Sequence, residues 1–204
     1  EIRLSLVGSE MCIRDRTDFP LAPAISSALR RAVDNGDTGY IASRTPLPET
    51  YAAFAMRRYG WHADPSRMRT TADVSMGIVE ILRRVTQPGE RVVVTTPVYP
   101  PFFDLVSEAG AEVARVPLLD TGTAWELDLD GIRAAFDDGA TAMLLCNPHN
   151  PTGTVHSRDS LTALAEIADE FGAAVISDEI HAPLAQHRVH ALPRHGRSCG
   201  ARGL

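Results

Sequence analysis

Cys146-Asn147-Pro148-His149-Asn150-Pro151-Thr152-Gly153 is the stretch whose reading decides the fold of this chain. It follows the apolar run Ala142 to Leu145. A second polar cluster, Ser177-Asp178-Glu179-Ile180-His181, follows the apolar run Ala173 to Ile176. One helix-length segment lies between them. The order is therefore strand, polar loop, helix, strand, polar end. That is a βαβ unit with both polar clusters at the carboxyl ends of parallel strands, the edge where open α/β sheets bind ligands.

The same alternation extends upstream. Val74 to Val85 has helical apolar spacing and is closed by the Pro88-Gly89 turn. Arg91 to Thr95 holds Val92-Val93-Val94, a run of the kind buried in parallel sheets. Thr96-Pro97-Val98-Tyr99-Pro100 is a loop, Phe102 to Ala109 a helix ended by Gly110, and Glu112 to Val116 a strand. After a polar connection, Leu127 to Phe136 reads as helix, and Asp137-Asp138-Gly139 turns into strand Thr141 to Cys146. Ser157 caps a helix to Phe171, Gly172 ends it, and Ala173 to Asp178 is the last strand. Nearer the N-terminus, Pro23 to Val33 and Pro48 to Tyr59 read as helices stopped by Asn35-Gly36 and Gly60, with a short strand at Arg67 to Thr71. The alternation predicts an α/β fold: a doubly wound, mostly parallel sheet with helices on both faces.

The two ends read differently. Residues 1–16 have no period of 2 or 3.6 and read as a non-native leader, resembling translated adapter sequence. From Gln186 to Leu204 the chain is basic, rich in His and Gly, and without apolar periodicity. It is expected to be an aberrant tail on a domain that is cut short. The expected division is a leader at 1–16, a helical segment at 17–60, the sheet domain at 61–184 and the tail at 185–204.

Composition narrows the function classes. The chain has 204 residues, 44% of them hydrophobic, and a formal net charge of −6 with no basic stripe, which argues against a nucleic-acid binder. No apolar run approaches the ~20 residues that span a membrane. Cys12, Cys146 and Cys199 form neither a metal spacing nor a disulfide framework, so a reducing, cytoplasmic setting is expected. No G-x-S-x-G elbow marks a serine hydrolase. Lys plus Arg is 20 and all 20 are Arg, so the chain has no lysine.

Asn150 and Asp178 are the side chains of interest: an amide and a carboxylate, one βα unit apart, at one sheet edge. A buried carboxylate there needs a cationic partner or it protonates. With no Lys and no Arg nearby in sequence, the natural partner is a ligand cation. Cys146, at a strand end, reads as core.

These residues bear a family resemblance. Asn147-Pro148-His149-Asn150-Pro151-Thr152-Gly153, Ser177-Asp178-Glu179-Ile180-His181 and Thr96-Pro97-Val98-Tyr99-Pro100-Pro101-Phe102-Phe103 resemble the fold-type I pyridoxal-phosphate enzymes of aminotransferase class I/II. Within them the wording is similar to the cystathionine β-lyase-like C–S lyases of the MalY/PatB type. Asp18-Phe19-Pro20 and Gly39-Tyr40 fit that branch as well.

The resemblance implies the cofactor pyridoxal 5′-phosphate and a set of roles. Asp178 would accept from the protonated pyridine nitrogen, keeping the ring an electron sink. Asn150 would donate to the phenolic oxygen, and Tyr99 would stack on the ring. Val74 and Ser75, after Asp73 at a helix N-terminus, would receive the phosphate. Tyr40 would reach the phosphate of a partner subunit, which implies a homodimer with residues 17–60 in its small domain or dimer arm. His181 would stand behind the site.

The implied reaction is α,β-elimination from cystathionine or a cysteine S-conjugate, giving pyruvate, ammonia and a thiol. Transamination is the alternative within the family, and a cofactor-fold regulatory or binding module without catalysis is the non-enzymatic one. The departure from the family is the lysine that links to the cofactor and moves the α-proton. With no lysine, the chain as it stands is expected to be inactive.

Overall fold

The computed structural model describes residues 20–39, 45–185 and 189–190. The chain divides into two compact units, Glu1–Thr45 and Pro46–Leu204.

The first unit contains α1 (Pro23–Asp34). Pro23 sits where its missing N–H costs nothing, and Asn35 closes the last turn with its N–H on the Arg31 carbonyl. Ile25, Leu29 and Val33 recur every fourth residue and are all exposed. Tyr40 lies outside the described residues.

The second unit opens with α2 (Leu47–Tyr59), ended by Gly60 in the left-handed conformation at φ 67°. A 3₁₀ turn follows at Pro65–Arg67, capped by the Asp64 side chain, which accepts from both the backbone N–H and the hydroxyl of Ser66. The strand expected at Arg67 to Thr71 does not form. Met68 is extended, but among the described residues no strand pairs with this segment to complete a ladder. Then come α3 (Val74–Val85), β1 (Arg91–Thr96), α4 (Pro101–Glu108) and β2 (Glu112–Pro117).

The polar connection after β2 holds a small antiparallel pair unexpected from the sequence: β3 (Leu119–Asp120) and β4 (Trp125–Glu126). Its turn is held by the Asp120 carboxylate accepting from the Gly122 N–H. Next is α5 (Leu129–Asp137), which starts two residues later than expected because the Asp128 carboxylate caps it through the Gly131 N–H. The chain continues through β5 (Ala140–Cys146), α6 (Arg158–Phe171), β6 (Ala174–Asp178) and a 3₁₀ turn at Ala182–Leu184. Ser157 caps α6 as expected, accepting from the Ser160 N–H.

β1, β2, β5 and β6 form one parallel sheet in the order β2-β1-β5-β6. Strand side chains alternate between faces. Val92, Val94, Ala142, Leu144, Cys146 and Ile176 pack with Ile78 and Leu82 of α3 and Phe102 and Val106 of α4. Val93, Met143 and Leu145 pack with Ile132 and Phe136 of α5 and Leu161 and Leu164 of α6. Helices thus cover both faces, which is why the central strands β1 and β5 read as unbroken apolar runs rather than alternating ones. The doubly wound sheet is the fold expected.

The order of strands fixes the ligand edge. From β1 the chain first steps outward to β2, then crosses back to β5 and on to β6. The direction of winding reverses between β1 and β5, and their carboxyl ends open a crevice. α3 runs back toward the start of β1, so its own N-terminus stands at the carboxyl edge. Its 12 residues span about 18 Å, close to the length of a six-residue strand.

Candidate active site

The carboxyl edge gathers most of the residues singled out in the sequence. Tyr99 lies in the loop after β1, Asn150 in the loop after β5, and Asp178 ends β6. Val74 and Ser75 form the first turn of α3, which packs against β6 and α4. His181 follows β6 and opens the 3₁₀ turn, its carbonyl accepting from the Leu184 N–H.

Each is placed by local structure. Tyr99 is held edge-to-face on buried Phe102 at 6.3 Å between centroids, while 38% of its own surface stays exposed. Asp178 accepts from the Ile180 N–H through one carboxylate oxygen at 3.0 Å, and its carbonyl accepts from the Asn147 N–H. The Asp73 side chain takes the Met76 N–H and its carbonyl takes the Gly77 N–H. The N–H groups of Val74 and Ser75 are thereby left for an outside acceptor, with none supplied among the described residues.

The loop after β5 is more ordered than its turn-rich sequence implies. Asn147, Pro148 and His149 are buried. The Asn147 side chain accepts from the His156 N–H at 3.2 Å and donates to the His190 carbonyl at 3.4 Å. With its backbone N–H on Asp178, Asn147 thus ties the loop to β6 and to the segment at 189–190. His190 also meets the Arg158 guanidinium, and Val189 is buried, so part of the segment read as an aberrant tail packs against this loop.

Cys146 lies beneath the loop. Its Sγ accepts from the Asn150 N–H at 3.3 Å and its thiol donates to the Pro148 carbonyl at 3.4 Å. Burial pushes the thiol up to about 11; the Asn150 N–H opposes this and the Asp178 charge adds to it. Cys146 is thus a neutral core thiol, not a nucleophile.

Two histidines are buried here as well, His149 and His156, with centroids 6.0 Å apart. Desolvation brings each down to about 4, so both are neutral near pH 7. The sequence alone does not single out Asn147 and His149, because an Asn or His beside a proline looks like a turn residue. The repeated Asn-Pro pair was the available signal. Glu179 is also affected by burial, which raises its pKa, although the Ser177 hydroxyl donates to it.

A parallel doubly wound sheet thus carries an amide, a carboxylate, an aromatic ring and free helix-start amides at its carboxyl edge. The chain belongs to the aminotransferase class I and II family, whose profile matches residues 13–196. A Mycobacterium tuberculosis protein provisionally named cystathionine beta-lyase is 47% identical over 176 residues, 82% of this chain and 42% of that protein. The crystal structure of the PLP-bound C–S lyase from Staphylococcus hominis superposes with a TM-score of 0.76 at 25% identity, over 80% of this chain and 43% of that one. The N-succinyldiaminopimelate aminotransferase of Mycobacterium tuberculosis gives 0.75 at 31% identity, over 82% and 44%. The chain therefore spans less than half the length of these relatives.

Proposed function

We propose that this chain is the cofactor-binding part of a pyridoxal-phosphate-dependent carbon–sulfur β-lyase acting on cystathionine or a cysteine S-conjugate. One observation carries the reading: Tyr99, Asn150 and Asp178 stand on consecutive carboxyl ends of the sheet, with the Val74 and Ser75 amides at the same edge. This donor set fits the cofactor group by group. Asp178 has a carboxylate oxygen beyond the one held by Ile180, suited to a protonated ring nitrogen. The Asn150 amide suits a phenolic oxygen, the exposed Tyr99 ring suits the face of a planar ring, and two unshared helix-start amides suit a phosphate.

When bound, the cofactor supplies a protonated ring that accepts the negative charge left as bonds to the substrate α-carbon break. The residues here would hold that group. Asp178 would keep the proton on the nitrogen, Asn150 would favour the oxyanion, and the Val74 and Ser75 N–H groups would fix the phosphate end. The covalent link and the movement of the α-proton need an amine that these residues do not supply, since the chain has no lysine. In net terms, the thioether and water give a thiol, pyruvate and ammonia.

Fold similarity does not separate lyase from aminotransferase, since the two TM-scores are nearly equal. Among the curated relatives the sequence favours the lyase: 47% identity to the protein provisionally named cystathionine beta-lyase against 32% to the one named as a probable N-succinyldiaminopimelate aminotransferase. The intact protein is proposed to be a homodimer in which Tyr40 reaches the partner's site. The cytoplasm is the proposed setting, because the sequence spacing of the three cysteines is not that of a disulfide framework. Among the described residues no helix is long and apolar enough to cross a membrane.

The test uses the protein that carries this segment at the full length of its relatives, with L-cystathionine as the sole substrate. Pyruvate and free thiol are expected in equal amounts without any added 2-oxo acid. Turnover that requires a 2-oxo acid and releases no thiol would establish transamination instead.

A further inference from the structure

The loop bearing Asn150 is wound around an imidazole to which the proposed chemistry assigns no role. His149 is 2% exposed. Its Nδ1 is 3.2 Å from the Thr152 hydroxyl, and its Nε2 is 3.5 Å from the hydroxyl of Thr95, on β1. Thr152 donates its own hydrogen to Thr154 Oγ1 at 2.9 Å, so its oxygen is left to accept and Nδ1 of His149 carries the hydrogen. Nε2 is then the acceptor facing Thr95.

The backbone fixes the same ring. The His149 N–H donates to the Thr154 carbonyl at 2.7 Å, and the His149 carbonyl accepts from the Gly153 N–H at 2.8 Å. Gly153 has φ 71°, a turn conformation that few other residues adopt without strain. An imidazole of fixed orientation therefore spans from β1 to the loop after β5, across the point where the winding of the sheet reverses. Asn150 is the next residue in the loop, and Tyr99 stands four residues beyond Thr95.

We propose that His149 is the positioning residue for Asn150: by bridging Thr95 and Thr152 it sets where the Asn150 amide stands relative to Tyr99, and so tunes the charge on the cofactor's phenolic oxygen. This rests on the cofactor reading above. Asn150 has its backbone N–H on Cys146 Sγ. Its position therefore depends on two buried anchors, a thiol below and the imidazole beside it. Of the two, it is the imidazole that has a hydrogen-bond partner on β1.

The test uses the cofactor-loaded full-length protein. It has two readouts besides turnover: the pH midpoint of the bound cofactor's absorption band, and the dissociation constant of the cofactor. Asn150→Ala comes first. Removing a hydrogen bond to the charged form is expected to raise the midpoint by at least about half a pH unit. If Asn150→Ala and Asp178→Ala leave both readouts unchanged, the cofactor reading itself fails.

If they respond, His149→Phe, which keeps ring volume but removes both nitrogens, is expected to raise the midpoint in the same direction. The double variant His149→Phe/Asn150→Ala is expected to go no further than Asn150→Ala alone, because both act through one amide. His149→Asn, whose amide can replace the Nδ1–H, is expected to recover most of the shift. A folded His149→Phe protein with an unmoved midpoint overturns the proposal, and so does a double variant whose shifts add. Should His149→Phe fail to fold, Thr152→Val decides. It leaves the imidazole in place and removes its acceptor, and an unmoved midpoint there overturns the proposal equally.

Discussion

Cys146 and Asp178 are register partners on neighbouring parallel strands. The thiol that supports the Asn150 backbone therefore lies beside the carboxylate that ends β6. Burial and that charge both act against ionisation, which holds the thiol at about 11. At pH 8 only about one thiol in a thousand is then ionised, against roughly a quarter of free cysteines. Iodoacetamide is expected to label Cys146 in the native protein at least about tenfold more slowly than in the unfolded chain. Mass spectrometry of the Cys146 peptide over time measures this, and equal rates would contradict the buried thiol.

Stability is expected to fall as pH drops from about 6.5 toward 4. His149 and His156 are held near 4 in the folded state, chiefly by desolvation, against an ordinary value of 6.5. Between those values the unfolded chain binds protons that the folded chain refuses, so acid favours unfolding. The contribution is fully present above pH 6.5 and is lost through this window. The slope is up to about 1.4 kcal/mol per pH unit for each histidine. Urea midpoints at pH 7.5, 6 and 5 give it directly. His156→Phe, whose Nε2 has no partner among the described residues, is expected to flatten the curve.

Gly131 is expected to reject even a methyl group. A Cβ there would stand 2.5 Å from Asp128 Oδ2 and 3.0 Å from Val116 Cγ1. Asp128 is the residue that caps α5 through the Gly131 N–H. Gly131→Ala therefore disturbs a cap and crowds the core together, at about 1–3 kcal/mol. Gly77→Ala, whose Cβ inside a helix would meet the Thr71 side chain, at 3.3 Å from its hydroxyl and 3.8 Å from its methyl, is expected to cost less. Denaturant midpoints of the two variants, measured side by side, test the ranking.

The sheet and its helices were legible because burial on both faces leaves unbroken apolar runs, and because Gly60, Gly110 and Gly172 mark helix ends. Ser157 was legible as a cap for the same local reason. What could not be read depended on distant partners or on competing local bonds. The extended segment from Met68 lacked a neighbour to make it a strand, and Asp128 moved the start of α5. At the site, residue types facing outward could be named from their motif. The supports could not, since His149 is understood only once Thr95, 54 residues away, is seen beside it.

Asp178 and Asp138 provide the sharpest contrast between a carboxylate of the proposed site and a surface one. Asp138 pairs with Arg91 at 2.7 Å, but its side chain is 76% exposed, so solvent screens the pair. Asp138→Asn is expected to cost under about 1 kcal/mol of stability and to leave cofactor affinity alone. Asp178→Asn keeps the shape and an acceptor for the Ile180 N–H but removes the charge that would hold a proton on a ring nitrogen. A hydrogen bond between charged groups is worth about 1.5–3 kcal/mol, so a rise in the cofactor dissociation constant of about ten- to a hundredfold is expected. Both constants come from titrating the cofactor-free full-length protein with pyridoxal phosphate. Equal, small changes in the two variants would remove Asp178 from the proposed site.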